Sequence, residues 1–404
     1  MYEWSKEIAS AYGYVAMIKR GLRSSLAAFV AGYGYIYQYW VAGAAGFGIL
    51  GVSSFLYLIS PSTASSMPWL WAVLVVVSTL IVTYMMWRGV KIGGVVSLIY
   101  SMITVVFLII TSAILVILNW SRNTLSVFTP APVGWSWTTV FVAMILGASI
   151  FGGLTTPVGV AEEAKMPKST LKKALMIEWI IIAIALILSA YSQTIAYGPS
   201  NMFSYASLPD PLIVVYNQYF GPIVAGALAV LVAVSFVISA LAFATSGSRM
   251  VYGMARDGVL YPRLFTSINS YGVPGNAILL TGAVVAALSL IFGYVLGPLE
   301  AALFLLTFGS FFIYFGHIFA SISLIAYSRK ALTPMKVFTN IVIPAVSAIL
   351  YILVLYFATY PAPTYPLNIA VYAAWAVVVA HIIIYYIYRA RHPDIMSRFG
   401  DYTL

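Results

Sequence analysis

Residues 147–167 read GASIFGGLTTPVGVAEEAKMP and interrupt an apolar run that is otherwise long enough to cross a lipid bilayer. The break is made by small and helix-breaking residues: Gly152, Gly153, Thr155, Thr156 and Pro157. It frees main-chain amide and carbonyl groups at membrane depth, which lipid tolerates only where the backbone is buried in protein or lines a cavity. Broken helices bind solutes and cations in many transporters, but a proline kink would produce the same pattern. The sequence predicts a broken helix at 152–157 and leaves both explanations open.

The rest of the chain carries little charge and much apolar surface. Of its 404 residues, 62% are hydrophobic and 7% are charged, whereas soluble domains carry roughly 25% charged residues. Apolar runs near the roughly 20 residues that cross a hydrocarbon core lie at 26–58, 68–87, 92–118, 138–160, 174–197, 221–250, 276–297, 302–327, 338–359 and 367–388. The sequence predicts an all-α polytopic membrane protein of about ten transmembrane helices, with a single transmembrane domain over residues 1–404.

The lysines and arginines are distributed unequally between the two sides of the predicted spans. All of them except Arg122 fall in one set of alternate loops or at the termini. Because cytoplasmic loops are enriched in Lys and Arg, we expect both termini to be cytoplasmic, with short tails at 1–22 and 389–404, in a cell membrane. This interpretation assigns the formal charge of +10 to membrane orientation, and no nucleic-acid partner is expected.

Residues suited to covalent or metal chemistry are few and scattered. The chain has no cysteine, and its histidines are far apart at His317, His381 and His392. Glu162 and Glu163 are adjacent, so they point to different faces of a helix, and neighbouring lysines offer ordinary ion pairs. We therefore expect the chain not to be an enzyme and to need no cofactor.

A glycine motif in the first span has a structural rather than a catalytic explanation. Gly46, Gly48 and Gly51 spell GxGxxG, but they lie inside a membrane span with no preceding strand, so the condition for a dinucleotide site is not met. Small residues at such positions let helices approach closely. We expect these glycines to contact neighbouring helices.

Two motifs resemble those of a known family, the amino acid–polyamine–organocation superfamily of permeases. FGGLTTPVGVAEEAKMPKSTLKKAL (151–175) resembles the sixth span of that family, and SGSRMVYGMARDGVLYPRLFTSINSYGVPGNAI (246–278) resembles the end of its eighth span with the following loop. The segment from Trp4 to Trp40 resembles the opening of its third span. The resemblance implies the inverted-repeat (LeuT-type) transporter fold, in which solute lies between the broken first and sixth spans.

The register of this resemblance bears on the beginning of the chain. If residues 1–58 correspond to the third span, the predicted spans are the third to twelfth of the family, and the first two are lacking. A start placed too far downstream, a truncated gene and a separate polypeptide that supplies two missing helices would each explain this. We expect an incomplete N-terminus, because the opening MYEWSKEIAS resembles the middle of a cytoplasmic loop.

The resemblance also implies which residues meet the solute. Those at the break are Phe151, Gly152, Gly153, Leu154 and Thr155, with Phe151 as a gate. By the same register, Gln38 and Ser239 face the solute pathway. Some proton-coupled relatives carry a Glu at the position of Thr155, so coupling through a carboxylate there is in doubt. The coupling ion, proton or sodium, and any metal ligand therefore stay unassigned.

The function that these observations favour is transport. We expect a secondary active transporter, or permease, that moves amino acids or related amines across the cytoplasmic membrane by alternating access, with membrane lipid as its surroundings. The alternative is a structural or assembly subunit of the membrane, or a truncated permease fragment, that transports nothing.

Overall fold

The computed structural model describes residues 2–8, 10, 12–59, 66–131, 134–136, 140, 153, 156–161, 167–206, 208, 210–328 and 333–401. Within these residues the regular structure is helical and no strand occurs. The α-helices are α1 (Tyr2–Ser5), α2 (Gly13–Leu22), α3 (Ser25–Tyr37), α4 (Phe47–Ile59), α5 (Leu70–Trp87), α6 (Val90–Leu118), α7 (Thr156–Gly159), α8 (Pro167–Tyr197), α9 (Met202–Ala206), α10 (Pro211–Arg256), α11 (Pro262–Phe265), α12 (Gly275–Leu296), α13 (Pro298–Tyr327), α14 (Pro334–Val337), α15 (Ile343–Thr359), α16 (Leu367–Arg391) and α17 (Pro393–Arg398).

Two stretches of π-helix join consecutive α-helices into single spans. Gln38–Gly46, here called the π segment, connects α3 to α4, and Phe338–Val342 connects α14 to α15. Among the described residues, nine helical stretches are long and apolar enough to cross a membrane. They confirm the predicted all-α, multi-pass architecture. Most of the predicted span 138–160 lies outside the described residues, which include only 140, 153 and 156–160 of it.

The helices divide into an interior pair and a lipid-facing set. In the most apolar window of the stretch 25–56, which runs from α3 to α4, 56% of the residues are buried, and the same share is buried in α13. In α8 the share is 11%. Because lipid is as apolar as a leucine side chain, exposed apolar residues on α8 need no protein partner. The π segment and α13 therefore form the centre of the bundle.

Glycines bring the central helices into close contact. A Cβ at Gly309 of α13 would overlap Ala42 of the π segment, and a Cβ at Gly43 would overlap the ring of Phe243 on α10. The predicted contacts of the GxGxxG glycines are confirmed at Gly46, which faces Leu306, and at Gly51, which faces α10. Small residues thus allow α10, α13 and the π segment to pack backbone against side chain.

The first residues of the chain pack into the bundle. Trp4 and Met17 are fully buried, and the indole Nε1 of Trp4 donates a hydrogen bond to the Ala320 carbonyl of α13 at 3.3 Å. A Cβ at Gly21 of α2 would overlap the backbone of Ser323. The predicted tail 1–22 thus lies against α13 in the structure.

The other end of the chain folds back onto the same side of the bundle. The short helix α17 follows α16, and Phe399 after it is fully buried. Its ring lies 5.7 Å from that of Tyr12 and 5.8 Å from that of Phe29. Residues 2–22 and 392–401 therefore meet at one face of the protein.

Candidate functional site

The described part of the predicted break is a short helical turn with its own capping bond. α7 begins at Thr156 and places Pro157 in its first turn, where a proline needs no hydrogen-bond donor. The Thr156 hydroxyl donates a hydrogen bond to the Gly153 carbonyl at 2.8 Å. This hydrogen bond links Gly153 to the first residue of the turn. Phe151, Gly152, Leu154 and Thr155 lie outside the described residues.

Two neighbouring helices hold this turn in place. The hydroxyl of Ser246 on α10, itself almost fully buried, lies 3.0 Å from the Thr156 carbonyl oxygen. On the other side, Val158 is buried and fills the space beside Gly13 of α2, where a Cβ would overlap it. The second half of the break is therefore fixed between α2 and α10.

Gly153 differs from the glycines that mediate helix contacts. A Cβ built on it would meet no described atom within 4 Å, whereas one on Gly309 or Gly43 would clash. Its carbonyl is already bonded to the Thr156 hydroxyl. No described residue therefore stands where a larger side chain at Gly153 would lie.

Gln38 begins the π segment, and its side chain is fully buried. Its neighbours point to the two flanking helices: the Tyr37 ring lies 5.3 Å from Phe312 of α13, and the Tyr39 ring lies 6.1 Å from Phe243 of α10. π-helical turns carry an extra residue per turn and occur often at functional sites. The Gln38 amide is thus a strongly polar group at the centre of the bundle, between α10 and α13.

Ser239 lies on the face of α10 that holds the broken segment. It precedes Ser246 by seven residues, which is two helical turns, so the two serines project from the same side. Ser239 is partly exposed, whereas Ser246 is almost fully buried. Of the two serines, Ser246 is the one that contacts α7, and sequence reasoning did not select it.

An aromatic cluster near the N-terminal helices was not anticipated either. The ring of Tyr14 stacks on that of Tyr35 with 4.0 Å between centroids, and it meets His317 edge-on at 5.6 Å. His317 in turn stacks on Tyr351 at 5.1 Å. Burial raises the pKa of the Tyr14 hydroxyl well above its usual value, so the group remains a hydrogen-bond donor at neutral pH. The rings of Tyr14 and Tyr35 are fully buried, so the cluster packs α2 against α3 and α13.

One carboxylate is placed on the helix face that borders the broken segment. Glu178 follows Leu171 by seven residues on α8, and Leu171 belongs to a buried cluster that includes Trp4 and Val158. Oxygen Oε2 of Glu178 is buried and accepts no hydrogen bond from the described residues. An ionisable group in a membrane span is a functional candidate because burying it is costly.

These groups are suited to binding a small polar molecule. They comprise hydroxyls, main-chain carbonyls, a buried amide, ring faces and one carboxylate. Among the residues that the structure describes, no group of three or more His, Cys, Asp or Glu side chains could hold a metal ion. Hydroxyls, amides and backbone dipoles can bind a carboxylate or an ammonium group without reacting with it.

The sequence matches a family described as amino acid permease over residues 2–387. It is also similar to an uncharacterized transporter of Legionella pneumophila, with 28% identity over 165 residues. That alignment covers 40% of this chain and 35% of the relative. The chain thus spans about a third of the length of the curated relative that it matches.

Proposed function

Because the chain belongs to the amino acid permease family, we propose that it is a secondary active transporter of amino acids or related amines. The solute would bind beside the break, bordered by Phe151, Gly152, Gly153, Leu154 and Thr155. The observation that carries this proposal is the attachment of α7 to α10 through Ser246, next to Gly153, whose Cβ position no described atom approaches within 4 Å. Solutes bind beside broken helices in many transporters, and the sequence predicts such a break here.

The chemistry of the surrounding groups supports a zwitterionic or cationic solute. Gln38 places an amide in a buried position, and Ser239 adds a hydroxyl. Hydroxyl and amide groups complement the carboxylate of an amino acid.

Alternating access would use the inverted-repeat architecture that the family resemblance implies. The broken segment would change its contacts with α10 as the site opens to one side and then to the other. Ser246 supports this view, because its hydroxyl lies 3.0 Å from the Thr156 carbonyl and 3.2 Å from the Ala242 carbonyl of its own helix. The single hydroxyl proton can bond well to only one of these two carbonyls. The hydrogen bond to α7 can therefore be exchanged for the one within α10 at small cost.

A proton is the coupling ion that the described residues favour. Glu178 is an ionisable side chain on the face of α8 next to the buried cluster that contains Val158 of α7. Protonation would remove a buried charge and thereby favour one state of the surrounding helices over the other. The membrane would be the cell membrane, with both termini and the basic loops on the cytoplasmic side.

Thermal stability in the presence of solutes tests this proposal. A solute at 100 times its dissociation constant stabilises the native state by about 2.7 kcal/mol. We expect an amino acid or amine from a broad panel to raise the melting temperature, and sugars or nucleosides to leave it unchanged. A protein that responds to no amino acid or amine would instead be a structural or assembly subunit.

A further inference from the structure

A cavity of about 610 Å³ lies where the beginning of α3 meets the end of α16 and α17. Two arginines, Arg23 and Arg389, are among the residues that line it. Its other lining residues are Ser24, Ser25, Leu26, Tyr385, Tyr386, Pro393, Met396 and Ser397. The lining therefore combines basic and hydroxyl groups with apolar and aromatic side chains.

The positive charge in this cavity is not neutralised by the described residues. The described ion pairs are Lys6 with Glu3 and Arg20 with Glu7, and neither involves Arg23 or Arg389. No described carboxylate belongs to the cavity lining. Two guanidinium groups without an acidic partner in a concave site favour an anion, and planar guanidinium groups match phosphate geometry.

The backbone at Arg23 supports the same ligand chemistry. Arg23 follows α2 in the left-handed conformation, with φ 54° and ψ 30°, which normally favours glycine. The next residue, Ser24, caps α3 by accepting a hydrogen bond from the Ala27 amide at 3.2 Å. Lys19 donates to the Ser25 hydroxyl at 2.6 Å, which brings a third positive charge to the rim. A cationic side chain thus occupies a strained position beside the cavity.

The outer surface of α16 connects this cavity to lipid. Ile382, Tyr386 and Arg389 follow one another at spacings of four and three residues, so they form one stripe on the helix. Ile382 is 36% exposed and Tyr386 is 55% exposed, and Tyr386 also lines the cavity. This order matches the layers of a membrane: isoleucine suits the hydrocarbon core, tyrosine the interface and arginine the head groups. The cavity therefore opens at head-group level.

We propose that this cavity binds the phosphate head group of an anionic phospholipid. Arg23 and Arg389 bind the phosphate, the Ser24 and Ser25 region contributes polar contacts, and an acyl chain lies along the Ile382 stripe of α16. Pro393, Met396 and Ser397 of α17 also line the cavity, so the lipid contacts the C-terminal segment and the start of α3 together. This site is separate from the broken segment and does not depend on the proposed transport activity.

Lipid retention by the purified full chain tests the assignment. Native mass spectrometry would count the phosphatidylglycerol and phosphatidylcholine molecules retained, and the melting temperature would be measured with each lipid. We expect phosphatidylglycerol to bind more tightly and to raise the melting temperature. Each basic residue near an anionic surface contributes about a factor of five, so Arg23→Gln with Arg389→Gln should weaken binding roughly 25-fold.

Arg391→Gln is the matched control, because Arg391 lies on the same helix but does not line the cavity. It should retain the preference for phosphatidylglycerol. Arg389→Lys keeps the positive charge and should retain most of the lipid binding. It therefore distinguishes a loss of binding through lost charge from a loss through misfolding. Equal binding of the two lipids would overturn the proposal. So would a loss of phosphatidylglycerol binding in Arg391→Gln as large as that in the Arg23→Gln, Arg389→Gln variant. Stabilisation by soluble glycerol phosphate as strong as that by the lipid would overturn the assignment to a membrane lipid.

Discussion

The hydroxyl of Ser246 lies 3.0 Å from the Thr156 carbonyl oxygen, although 90 residues of chain separate them. This hydrogen bond joins a long helix of the bundle to the short turn after the break. It is also the contact that gives the predicted broken helix a defined neighbour. The proposed site is built around this contact.

Replacing Ser246 by alanine should weaken transport. The change removes the hydroxyl that reaches α7 and leaves the Thr156 carbonyl without that donor, which costs about 1 kcal/mol. We therefore expect roughly a fivefold loss in kcat/KM for solute uptake. Ser192→Ala is the control, since Ser192 is equally buried but bonds only within its own helix, to the Ser189 carbonyl. Equal effects of the two variants would contradict a special role for Ser246.

A bulky residue at Gly153 should abolish uptake and leave membrane insertion intact. The space beside Gly153 accepts a side chain without a clash with the described residues, so folding should survive while a leucine fills the solute site. Uptake in proteoliposomes and the melting temperature would be measured for Gly153→Leu. Gly226→Leu is the control, because Gly226 is an exposed residue of α10 that also has free space beside it. Normal uptake by Gly153→Leu would remove the break from the mechanism.

Gln38→Leu should weaken solute binding. Leucine nearly conserves volume but cannot form the hydrogen bonds of an amide, so we expect solute affinity to fall about tenfold. Isothermal calorimetry with the solute identified by thermal shift would measure the affinity. An unchanged dissociation constant would show that Gln38 serves packing alone.

Glu178→Gln should uncouple transport from a proton gradient. Glutamine imitates the protonated carboxyl, so exchange of solute across the membrane should continue while accumulation driven by a pH gradient is lost. Counterflow and gradient-driven uptake would be compared in the same proteoliposomes. If accumulation survives, the coupling group lies elsewhere or the driving ion is not a proton.

Asp257 should fasten the two ends of the chain to the bundle. Its Oδ2 accepts hydrogen bonds from the Tyr12 hydroxyl at 2.7 Å and from the Gly400 amide at 2.8 Å. Asp257→Ala removes both, which should cost about 1–3 kcal/mol of unfolding free energy. Asp257→Asn keeps an acceptor oxygen and should cost less. Limited proteolysis should cleave residues 392–401 faster in Asp257→Ala than in the wild-type protein. Cleavage of both variants at the wild-type rate would contradict this role.

The same residue predicts a pH dependence of stability. Burial raises the pKa of Asp257, although the bonds from Gly400 and Tyr12 oppose this shift. The native state therefore holds the proton more tightly than the unfolded chain does. This contribution to the unfolding free energy is present below the ordinary pKa of 3.8 and falls as pH rises through the raised value. As pH rises from about 4 to 7, the melting temperature of Asp257→Asn should fall less steeply than that of the wild-type protein.

Much of the fold could be predicted from the sequence, because the length and apolarity of each span are local properties. The helices found at 70–87 and 367–391 begin and end close to the predicted limits. The π segment was not predictable, because its extra residue per turn leaves apolar composition unchanged. The close contacts at Gly43 and Gly309 can be recognised only once α10 and α13 are placed beside the π segment.

The site was harder to predict than the fold. The residue pattern and the family resemblance both pointed to Gly153 and Gln38. No described atom lies within 4 Å of a Cβ built on Gly153, and Gln38 is fully buried. Ser246 was missed because its partner, Thr156, is remote in sequence and the contact depends on how α7 sits against α10. Tyr14 was missed for a similar reason, since it meets His317 only after α2 packs on α13.

Uptake of labelled amino acids and amines by proteoliposomes tests the central claim most directly. The full protein would be reconstituted at known density, and counterflow would be measured for a panel of solutes alongside protein-free vesicles. The account predicts saturable uptake of at least one amino acid or amine, with loss in Gly153→Leu and retention in Gly226→Leu. Folded, inserted protein that moves no member of the panel faster than protein-free vesicles would contradict it.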